Sequence, residues 1–329
     1  MSLLVSIVIP AYNSEKWIER TIISALHQTW ERKEIIIVDD GSNDNTVNIA
    51  RKYESKILRV LTQENKGASA ARNTGLKIAQ GDYFQWLDSD DVLAPDKISN
   101  QLKGKDVGRT SRVLLTSKWG IFSSDVDKTN FIPNSLWQNL SPLDWLMIKM
   151  DENANMATGS WLVSRKLTEL AGPWNEQLLR DNDGEYFRRV VLSSEEVQFV
   201  PESIIYYRKG SIRSISSGAN LTDEKIESLF IAHTGYVKAL LSLENSERTR
   251  KVCIKFLQRW LIYFYPDKTE ILKKLYDLAA ELGETLQEPE LDWKYSLIQK
   301  TFGWKFAKKA RIFLPIVKSR ALGYINSDS

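Results

Sequence analysis

Four short apolar runs, each followed by a helix-like pattern, constrain the first ninety residues more than any other feature of the sequence. The runs lie at residues 4–9, 34–38, 57–61 and 83–87. The first intervening segment carries Ile18, Ile22 and Ala25 at helical spacing. Ser14 is the expected cap of this helix, and Ser42 the expected cap of the next. Uniformly apolar runs are typical of strands buried on both faces, so alternation with helices predicts a parallel sheet with right-handed crossovers.

The rest of the chain divides at a Ser/Gly/Asn-rich stretch, residues 214–220. Before it, the sequence predicts a helix over 95–102 and strands over 113–122, 197–200 and 203–208. After it, a helix begins behind Thr222 and helical patterns continue to about residue 325. We therefore expect an α/β domain over residues 1–215, with halves 1–94 and 95–215, and a helical region over 216–329.

Composition excludes several classes of site. The single cysteine, Cys253, excludes an internal disulfide and a cysteine-based zinc site, and two histidines argue against a His-rich metal site. The amino terminus lacks a basic leader and reads as a strand, and no uncharged apolar run has transmembrane length. A cytoplasmic protein is the expectation. Net charge is +3, but residues 294–329 alone hold eight basic residues and one acidic residue.

Acidic and basic side chains cluster where the predicted strands end. Ligands of parallel sheets bind beyond the carboxyl ends of the strands. Asp40 follows the second run, Lys66 and Arg72 follow the third, and Asp88 and Asp90 follow the fourth. Neighbouring carboxylates favour a hard divalent ion such as Mg²⁺ or Mn²⁺, which shares ligands with substrate phosphates. A solvated Asx turn is the simpler alternative. No Gly-x-Gly-x-x-Gly follows the first run, so the mixture indicates a nucleotide diphosphate rather than a dinucleotide.

Four ordered motifs resemble those of the family 2 glycosyltransferases, inverting enzymes of the GT-A fold. They are Pro-x-Tyr-Asn from residue 10, Val-Asp-Asp-Gly-Ser from 38, Asn-x-Gly-x-x-x-Ala-Arg-Asn-x-Gly from 65 and Leu-Asp-Ser-Asp-Asp from 87. The resemblance covers about residues 4–215. It implies a nucleotide-binding half over 1–94 and an acceptor half over 95–215.

The resemblance also assigns roles to residues of the donor site. Pro10 and Tyr12 would line the nucleotide pocket, and Asp40 would accept a hydrogen bond from the base. Arg72 would lie near the donor. Asp88 and Asp90 would form the Asp-x-Asp pair, with Asp90 a direct ligand of Mn²⁺ or Mg²⁺ and Asp88 on ribose or metal.

Residues 172–187 resemble the acceptor segment of the same family. Trp174, Asn175 and Glu176 would then contact the acceptor, with the Trp174 ring as a stacking platform. The acidic motif that follows puts Asp183 in the position of the catalytic base, and Asp181 and Glu185 are the rival candidates. Simple helix capping by an aspartate is the alternative for this motif.

The chain departs from the family in one element. Many members carry Tyr-Arg-x-His after the last strand, whereas this chain has Tyr207-Arg208-Lys209-Gly210 and no histidine. Arg208, Lys209 or Arg213 is therefore expected to hold the diphosphate.

The resemblance implies an inverting, metal-dependent glycosyltransferase. It would move a sugar from a nucleotide-diphosphate sugar, with UDP expected, to the hydroxyl of a sugar or lipid-linked acceptor in polysaccharide or glycolipid synthesis. The alternative is a non-catalytic sugar-nucleotide-binding protein with a helical interaction module. The basic residues match no nucleic-acid-binding fold, so no nucleic-acid partner is expected.

The basic carboxyl-terminal tail has two interpretations. An apolar stripe at helical spacing is formed by Phe302, Phe306, Ala310, Phe313 and Val317. With the lysines among them, these residues predict a helix that lies on an anionic membrane surface, as a peripheral protein on the inner face would need. The alternative is an ordinary helix that packs its stripe on residues 223–290.

Overall fold

The computed structural model describes residues 2–103, 111–209, 222–289, 293–304, 306–307 and 310. The chain divides into two compact units, Met1–Ile212 and Arg213–Ser329. In the described part of the first unit the strands are β1 (Val5–Ala11), β2 (Lys33–Asp39), β3 (Leu58–Thr62), β4 (Tyr83–Trp86), β5 (Val92–Leu93), β6 (Val113–Phe122), β7 (Leu162–Ser164) and β8 (Glu196–Arg208). Its helices are α1 (Ile18–Leu26), α2 (Thr46–Arg51), α3 (Ala68–Ile78), α4 (Lys97–Leu102), α5 (Pro142–Glu152), α6 (Arg165–Ala171) and α7 (Asn182–Ser193). The second unit contains α8 (Asp223–Leu243), α9 (Glu247–Trp260), α10 (Thr269–Glu281) and α11 (Trp293–Phe302).

One mixed sheet organises the first unit, with strand order β3-β2-β1-β4-β7-β6-β8-β5. The four strands predicted in the first ninety residues are parallel neighbours, which confirms the predicted parallel sheet. β7 runs antiparallel to β4 and β6, whereas β6 and β8 are parallel. The carboxyl ends of β1, β2 and β4 therefore meet at one edge of the sheet.

Apolar side chains on both faces of the sheet explain the uninterrupted apolar runs. Ile7, Ile35 and Ile37 are fully buried, and so are Val8 and Ile36, which point to the opposite face. The predicted apolar face of α1 is confirmed, since its Ile18, Ile22 and Ala25 are buried. On the other side, α3 approaches the sheet so closely that a Cβ on Gly75 would lie 2.6 Å from Val8 Cγ1. Any larger residue at this point would have to displace the Val8 side chain.

Two predicted helix caps are wrong. α1 begins at Ile18 and α2 at Thr46, so neither Ser14 nor Ser42 occupies a cap position. The Ser14 hydroxyl shares a 2.7 Å hydrogen bond with Ser89 Oγ, and Ser42 Oγ accepts one from Asn13 N at 2.9 Å. The side chains of both serines thus link loops at the sheet edge instead of capping a helix.

The two strands predicted over 197–200 and 203–208 are a single strand in the structure, β8. Its pairing with β6 shifts register between Ser117 and Lys118, where β8 carries additional residues. A local irregularity therefore takes the place of the expected break, and the strand continues to the sheet edge at Arg208.

The second unit is helical, as predicted. Thr222 caps α8 through a hydrogen bond from Lys225 N, which confirms that predicted start. Ser246 and Thr249 form a reciprocal capping box at the start of α9. Gly303, with φ of +81°, follows α11 directly, so the tail stripe does not continue as one helix through Phe302 and Phe306. Phe313 and Val317 lie outside the described residues. Within the described part of the chain, no helix has the length and apolar character needed to cross a membrane.

Candidate active site

The loops after β1 and β2 are joined at the sheet edge by backbone hydrogen bonds. Asp40 N donates to Ala11 O at 2.8 Å, which holds the start of the second loop against the end of β1. Pro10 is a buried residue of β1, whereas the Tyr12 ring just beyond it is 49% exposed. The predicted role of Pro10 and Tyr12 in lining a nucleotide pocket stays a prediction.

Asp40 is a buried anchor for the loop that follows β3. Its Oδ1 accepts hydrogen bonds from Gln63 Nε2 (2.7 Å) and Lys66 N (2.9 Å), and its Oδ2 accepts one from Gly67 N (2.7 Å). The next residue, Gly41, has φ of +74°, and a Cβ there would lie 2.9 Å from Asn65 N. Three protein donors already surround this carboxylate. Its predicted contact with a base stays a prediction. The side chain of Lys66 is exposed at the same loop.

The loop Asp88–Asp91 concentrates negative charge at the end of β4. Burial, followed by the charge of Asp88, raises the pKa of Asp90 to about 6. Asp91 is fully buried, and burial together with both neighbours raises the pKa of its carboxyl well above the usual range. Asp91 Oδ1 accepts a 2.8 Å hydrogen bond from Arg208 N, and its Oδ2 has no partner among the described residues. A cation at this loop would relieve the repulsion.

The chemistry of this loop fits a divalent ion that shares its coordination with a substrate. No set of three His, Cys, Asp or Glu side chains converges on a metal position in the part of the chain that the structure describes. Mg²⁺ is commonly held by one or two carboxylates together with substrate phosphates, rather than by a cage of protein ligands. Asp90 and Asp88 are the residues that would hold Mn²⁺ or Mg²⁺ here.

Arg208 supports the acidic loop from the end of β8. Its Nε donates to Asp90 O at 2.9 Å, and its Nη1 donates to Ser123 O. The guanidinium lies between two aromatic rings, 4.2 Å from the Trp17 centroid and 4.3 Å from that of Phe122. Because the side chain is buried and engaged on both sides, it braces the loop. Little of the Arg208 side chain is exposed, so it offers almost no surface for the predicted contact with a diphosphate. Gly210 and Arg213 lie outside the described residues.

Arg72 connects the acidic loop to the segment predicted to bind the acceptor. Its Nη2 donates to Asp88 Oδ1 at 2.7 Å, and its Cζ lies 4.3 Å from the centre of the Trp174 ring. Trp174 is only 2% exposed and stacks on Tyr186 of α7, with centroids 4.0 Å apart. The predicted acceptor-stacking platform therefore has no open face in this structure, because Arg72 and Tyr186 cover the ring.

Asn73 fastens the predicted acceptor segment onto α3. Its side chain accepts from Trp174 N (2.8 Å) and donates to Trp174 O (2.9 Å) and to Glu176 Oε1 (2.7 Å). Glu176 and the half-buried Asn175 line a pocket of about 700 Å³ that also includes Lys77 and Arg189. Glu185, one of the rival bases, also lines this pocket, whereas Asp183 does not.

The three candidate bases differ in their surroundings. Glu185 is engaged with Arg189 Nε at 2.8 Å and with Arg188 Nη2 at 3.4 Å. Asp181 precedes α7 with φ of +55°, and burial followed by the charge of Asp183 raises its pKa to about 7. Asp183 lies in the first turn of α7, is half-buried, and has no ion-pair partner within the described ranges.

Contacts between helices bring Asp183 towards the acidic loop. Asn182 Nδ2 donates to Ser69 Oγ at 3.2 Å, so the first turn of α7 touches the first turn of α3, the helix that carries Arg72. Burial and the negative charges of Asp91, Asp88, Asp90 and Asp183 together raise the pKa of Tyr207 to about 12. The pKa of Tyr207 therefore responds to the predicted base and to the predicted metal ligands alike.

Sequence reasoning missed the bracing by Arg208 and the enclosure of Trp174 by Arg72. The motifs place each residue near the site, but contacts made by residues about 100 positions apart leave no spacing signal. Asn73 belongs to the recognised Ala-Arg-Asn motif, yet its partner Trp174 is not apparent from that motif.

Comparison with known proteins supports the family resemblance. The sequence profile described as "Glycosyl transferase family 2" matches residues 6–142. The glycosyltransferase GlyG of Streptococcus pneumoniae serotype 4 is 30% identical over 223 residues, covering 64% of this chain and 72% of GlyG. An uncharacterized glycosyltransferase of Haemophilus influenzae is 45% identical over 102 residues, 30% of this chain and 41% of that protein.

Other relatives match over a shorter part of their length. The Escherichia coli UDP-Glc:alpha-D-GlcNAc-diphosphoundecaprenol beta-1,3-glucosyltransferase WfaP is 50% identical over 100 residues, 30% of this chain and 40% of WfaP. The chain therefore spans less than half the length of these two relatives, 41% of the Haemophilus protein and 40% of WfaP. Among solved structures, S. aureus TarS 1–349 in complex with UDP-GlcNAc superposes with a TM-score of 0.63 at 19% identity, covering 84% of this chain and 80% of that chain. The likeness to TarS shows the GT-A fold.

Proposed function

The chain belongs to glycosyl transferase family 2, and from that membership we propose that it transfers a sugar from a UDP-sugar to an acceptor hydroxyl with inversion at the anomeric carbon. The name of WfaP specifies UDP-Glc as its donor, and the TarS structure contains UDP-GlcNAc. The observation that carries the proposal is the approach of the first turn of α7 to the acidic loop, through Asn182 on Ser69 and Arg72 on Asp88.

In the proposed reaction, Asp183 is the general base. The acceptor oxygen attacks the anomeric carbon while the bond from that carbon to the diphosphate breaks. The hydroxyl proton passes to the Asp183 carboxylate, and the nucleotide diphosphate leaves with the electron pair. General-base catalysis of this kind contributes about 10²–10⁴-fold to the rate.

The donor diphosphate is proposed to lie along the edge between Lys66 and the acidic loop. The exposed ammonium of Lys66 supplies positive charge there, and Tyr12 offers a ring for the base. Mn²⁺ or Mg²⁺ held by Asp90 and Asp88 would neutralise charge on the departing diphosphate. Arg208 holds Asp90 in place through the backbone rather than by touching the donor.

Asp183→Asn tests the proposed base against its rivals. We expect transfer to fall by about 10²–10⁴-fold, while calorimetry shows nearly unchanged UDP affinity in the presence of Mn²⁺. Asp181→Asn and Glu185→Gln are the matched controls from the same segment. If either control gives this phenotype and Asp183→Asn does not, the assignment of the base is wrong. Nucleotide-sugar binding without transfer or donor hydrolysis would favour a non-catalytic binding protein instead.

Asp90→Asn tests the role of the metal. The variant is expected to bind UDP with an affinity that no longer depends on Mn²⁺. Calorimetric titration with and without the ion measures this directly. Unchanged Mn²⁺-dependent affinity across a panel of nucleotide diphosphates would contradict the assignment of Asp90.

A lipid-linked acceptor and a peripheral attachment to an anionic membrane belong to the same proposal. The name of WfaP specifies a diphosphoundecaprenol acceptor. In the second unit, Leu297, Phe302 and Phe306 are 58%, 65% and 54% exposed, in a tail rich in lysine. Exposed aromatic and basic residues together favour binding to anionic lipid. One contact favours the alternative, in which the tail packs on residues 223–290. The ring of Trp304 contacts that of Tyr265, with centroids 4.9 Å apart.

Vesicle co-sedimentation tests the membrane attachment. Full-length protein is expected to bind vesicles that contain phosphatidylglycerol at low salt and to bind neutral phosphatidylcholine vesicles weakly. Replacing both Phe302 and Phe306 by serine should reduce the binding. Protein that ignores anionic vesicles, or a double variant that binds them equally well, would refute this role of the tail.

A further inference from the structure

Trp174 is buried between two elements that the proposed reaction uses. One face of its ring stacks on Tyr186, three residues after Asp183, at an interplanar angle of 8°. The Arg72 guanidinium lies 4.3 Å from the ring centroid. The ring also contacts Trp86, the last residue of β4, in a T-shaped arrangement with centroids 5.2 Å apart. One side chain therefore contacts the helix of the base, the donor-side arginine and the strand that leads to the acidic loop.

The buried positive charge of Arg72 has few partners besides the Trp174 ring. The residue is 4% exposed, and its Nε and Nη1 atoms are buried without hydrogen-bond partners among the described residues. Its Nη2 donates to Asp88, so one carboxylate serves a cation with two unsatisfied nitrogens. A buried charge is costly unless it is paired, and an aromatic face compensates a cation most when water is absent. The Trp174 ring is the remaining described group that supplies negative charge density to Arg72.

The position of the Trp174 ring is itself imposed by its backbone. Asn73 of α3 binds both Trp174 N and Trp174 O, at 2.8 and 2.9 Å. Arg189 donates from Nη2 to Pro173 O at 2.9 Å and from Nη1 to Ala171 O, which fixes the turn before the tryptophan. Hydrogen bonds to Trp174 itself and to the turn before it thus fix the backbone that carries the ring, independently of Arg72.

We infer that Trp174 is a positioning residue for the donor site, which holds Arg72 against Asp88 rather than binding the acceptor. The inference rests on the proposed function, in which Asp88 contacts ribose or metal. With Arg72 fixed on Asp88 Oδ1, the other oxygen, Oδ2, accepts no hydrogen bond from the described residues and is available to the donor. Without the ring, Arg72 loses its electrostatic support, and Asp88 loses a fixed orientation next to Asp90.

The binding of UDP in the presence of Mn²⁺ to the full-length protein is the direct test. Trp174→Leu is expected to weaken UDP affinity by about 10- to 30-fold, the equivalent of a desolvated cation–π contact. Trp174→Phe, which keeps an aromatic face, should recover most of the affinity. In transfer assays the loss should appear mainly as a higher donor KM, with a smaller change in kcat.

Trp145→Leu is the matched control. Trp145 is 3% exposed, and its indole N–H is buried without a described partner, as in Trp174, but its ring contacts Trp161 rather than Arg72. Both leucine variants should lose stability, because both remove a buried indole. The inference is overturned if Trp145→Leu weakens UDP binding as much as Trp174→Leu does.

A double-mutant cycle with Arg72→Gln tests whether Trp174 acts through the arginine. In the Arg72→Gln background, Trp174→Leu should weaken UDP binding by less than about threefold, because the group it supports is already gone. Additive losses would refute the inference. The same cycle measured by urea unfolding without ligand separates this outcome from failure of the proposed function. If the pair is coupled in unfolding but the wild-type protein does not bind UDP, Trp174 has a packing role alone and the inference is wrong.

Discussion

Replacing Asp40 by asparagine changes one atom in a carboxylate that accepts three hydrogen bonds. Oδ1 faces two donors, Gln63 Nε2 and Lys66 N, and Oδ2 faces Gly67 N. An amide has one acceptor oxygen and one NH₂ group, so either orientation turns a donor towards a donor. The Asp40 side chain is 3% exposed, and water cannot easily intervene. Asp40→Asn therefore tests whether this carboxylate anchors the loop after β3.

The expected loss of stability follows from these contacts. If the amide oxygen takes the Oδ1 position, the Gly67 N–H loses its acceptor, at a cost of about 1–3 kcal/mol for a buried donor. The two remaining bonds lose the charge of their acceptor, at a cost of about 0.5 kcal/mol each. We expect Asp40→Asn to lower the free energy of unfolding by about 2–4 kcal/mol. For a domain of about 200 residues this corresponds to a drop in Tm of about 5–15 °C.

Asp39 provides a control in the adjacent position. It is 2% exposed, its Oδ2 accepts a single 3.0 Å hydrogen bond from Ser42 N, and its Oδ1 has no described partner. Asp39→Asn can keep that bond through its amide oxygen and buries a neutral group in place of a charge, so its effect should stay within about 1 kcal/mol. Urea unfolding followed by circular dichroism, without nucleotide, measures both variants. Equal losses, or a loss below about 1 kcal/mol for Asp40→Asn, would show that the carboxylate does not anchor the loop.

Three further predictions concern buried or capping groups. Lys97 is fully buried, its Nζ donates to Gln85 Oε1, and burial lowers the pKa of its ammonium group well below the usual range. The unfolded chain then binds a proton that the folded chain does not, so the stability of the wild-type protein rises with pH towards the ordinary lysine pKa. Any gain in the free energy of unfolding from Lys97→Met, measured in urea, should therefore shrink between pH 7 and 9. A gain that does not change with pH would contradict this. Burial raises the pKa of the Cys253 thiol to about 12, so iodoacetamide at pH 8 should modify this cysteine only after denaturation. Mass spectrometry measures the labelling, and rapid labelling of the native protein would count against the fold of α9. Ser246→Ala removes the capping box of α9 and should cost about 1 kcal/mol in the same unfolding assay, whereas Ser246→Thr should be nearly neutral.

The sequence predicted the sheet edge well because strand ends are a local property. The apolar runs located β1 to β4 to within two residues at each end, and their order implied that Asp40, Lys66 and Asp88 would share one edge. The buried face of α1 followed from its spacing. The helix starts at Ser14 and Ser42 were wrong because each serine has a tertiary partner across the edge that a local pattern does not contain.

The roles of Trp174 and Arg208 were less accessible to the same reasoning. Both were expected on an open surface, one against an acceptor and one against a diphosphate. In the structure, Arg72 and Tyr186 cover Trp174, and Trp17 and Phe122 enclose Arg208. Aromatic and arginine side chains serve equally well in binding and in packing, so residue type alone does not separate the two.

The sequence by itself determined the alternation of strands and helices, the edge where the charged motifs collect, and the family to which they belong. Those features follow from the periodicity of apolar residues along the chain and from motifs of adjacent residues. Only the tertiary structure decided which charged groups are engaged, as Arg72 is with Asp88 and Glu185 with Arg189, and which, like Asp183, have no ion pair in the described chain. The physical reason is that burial and pairing depend on contacts between distant segments, and those contacts exist only once the chain has folded.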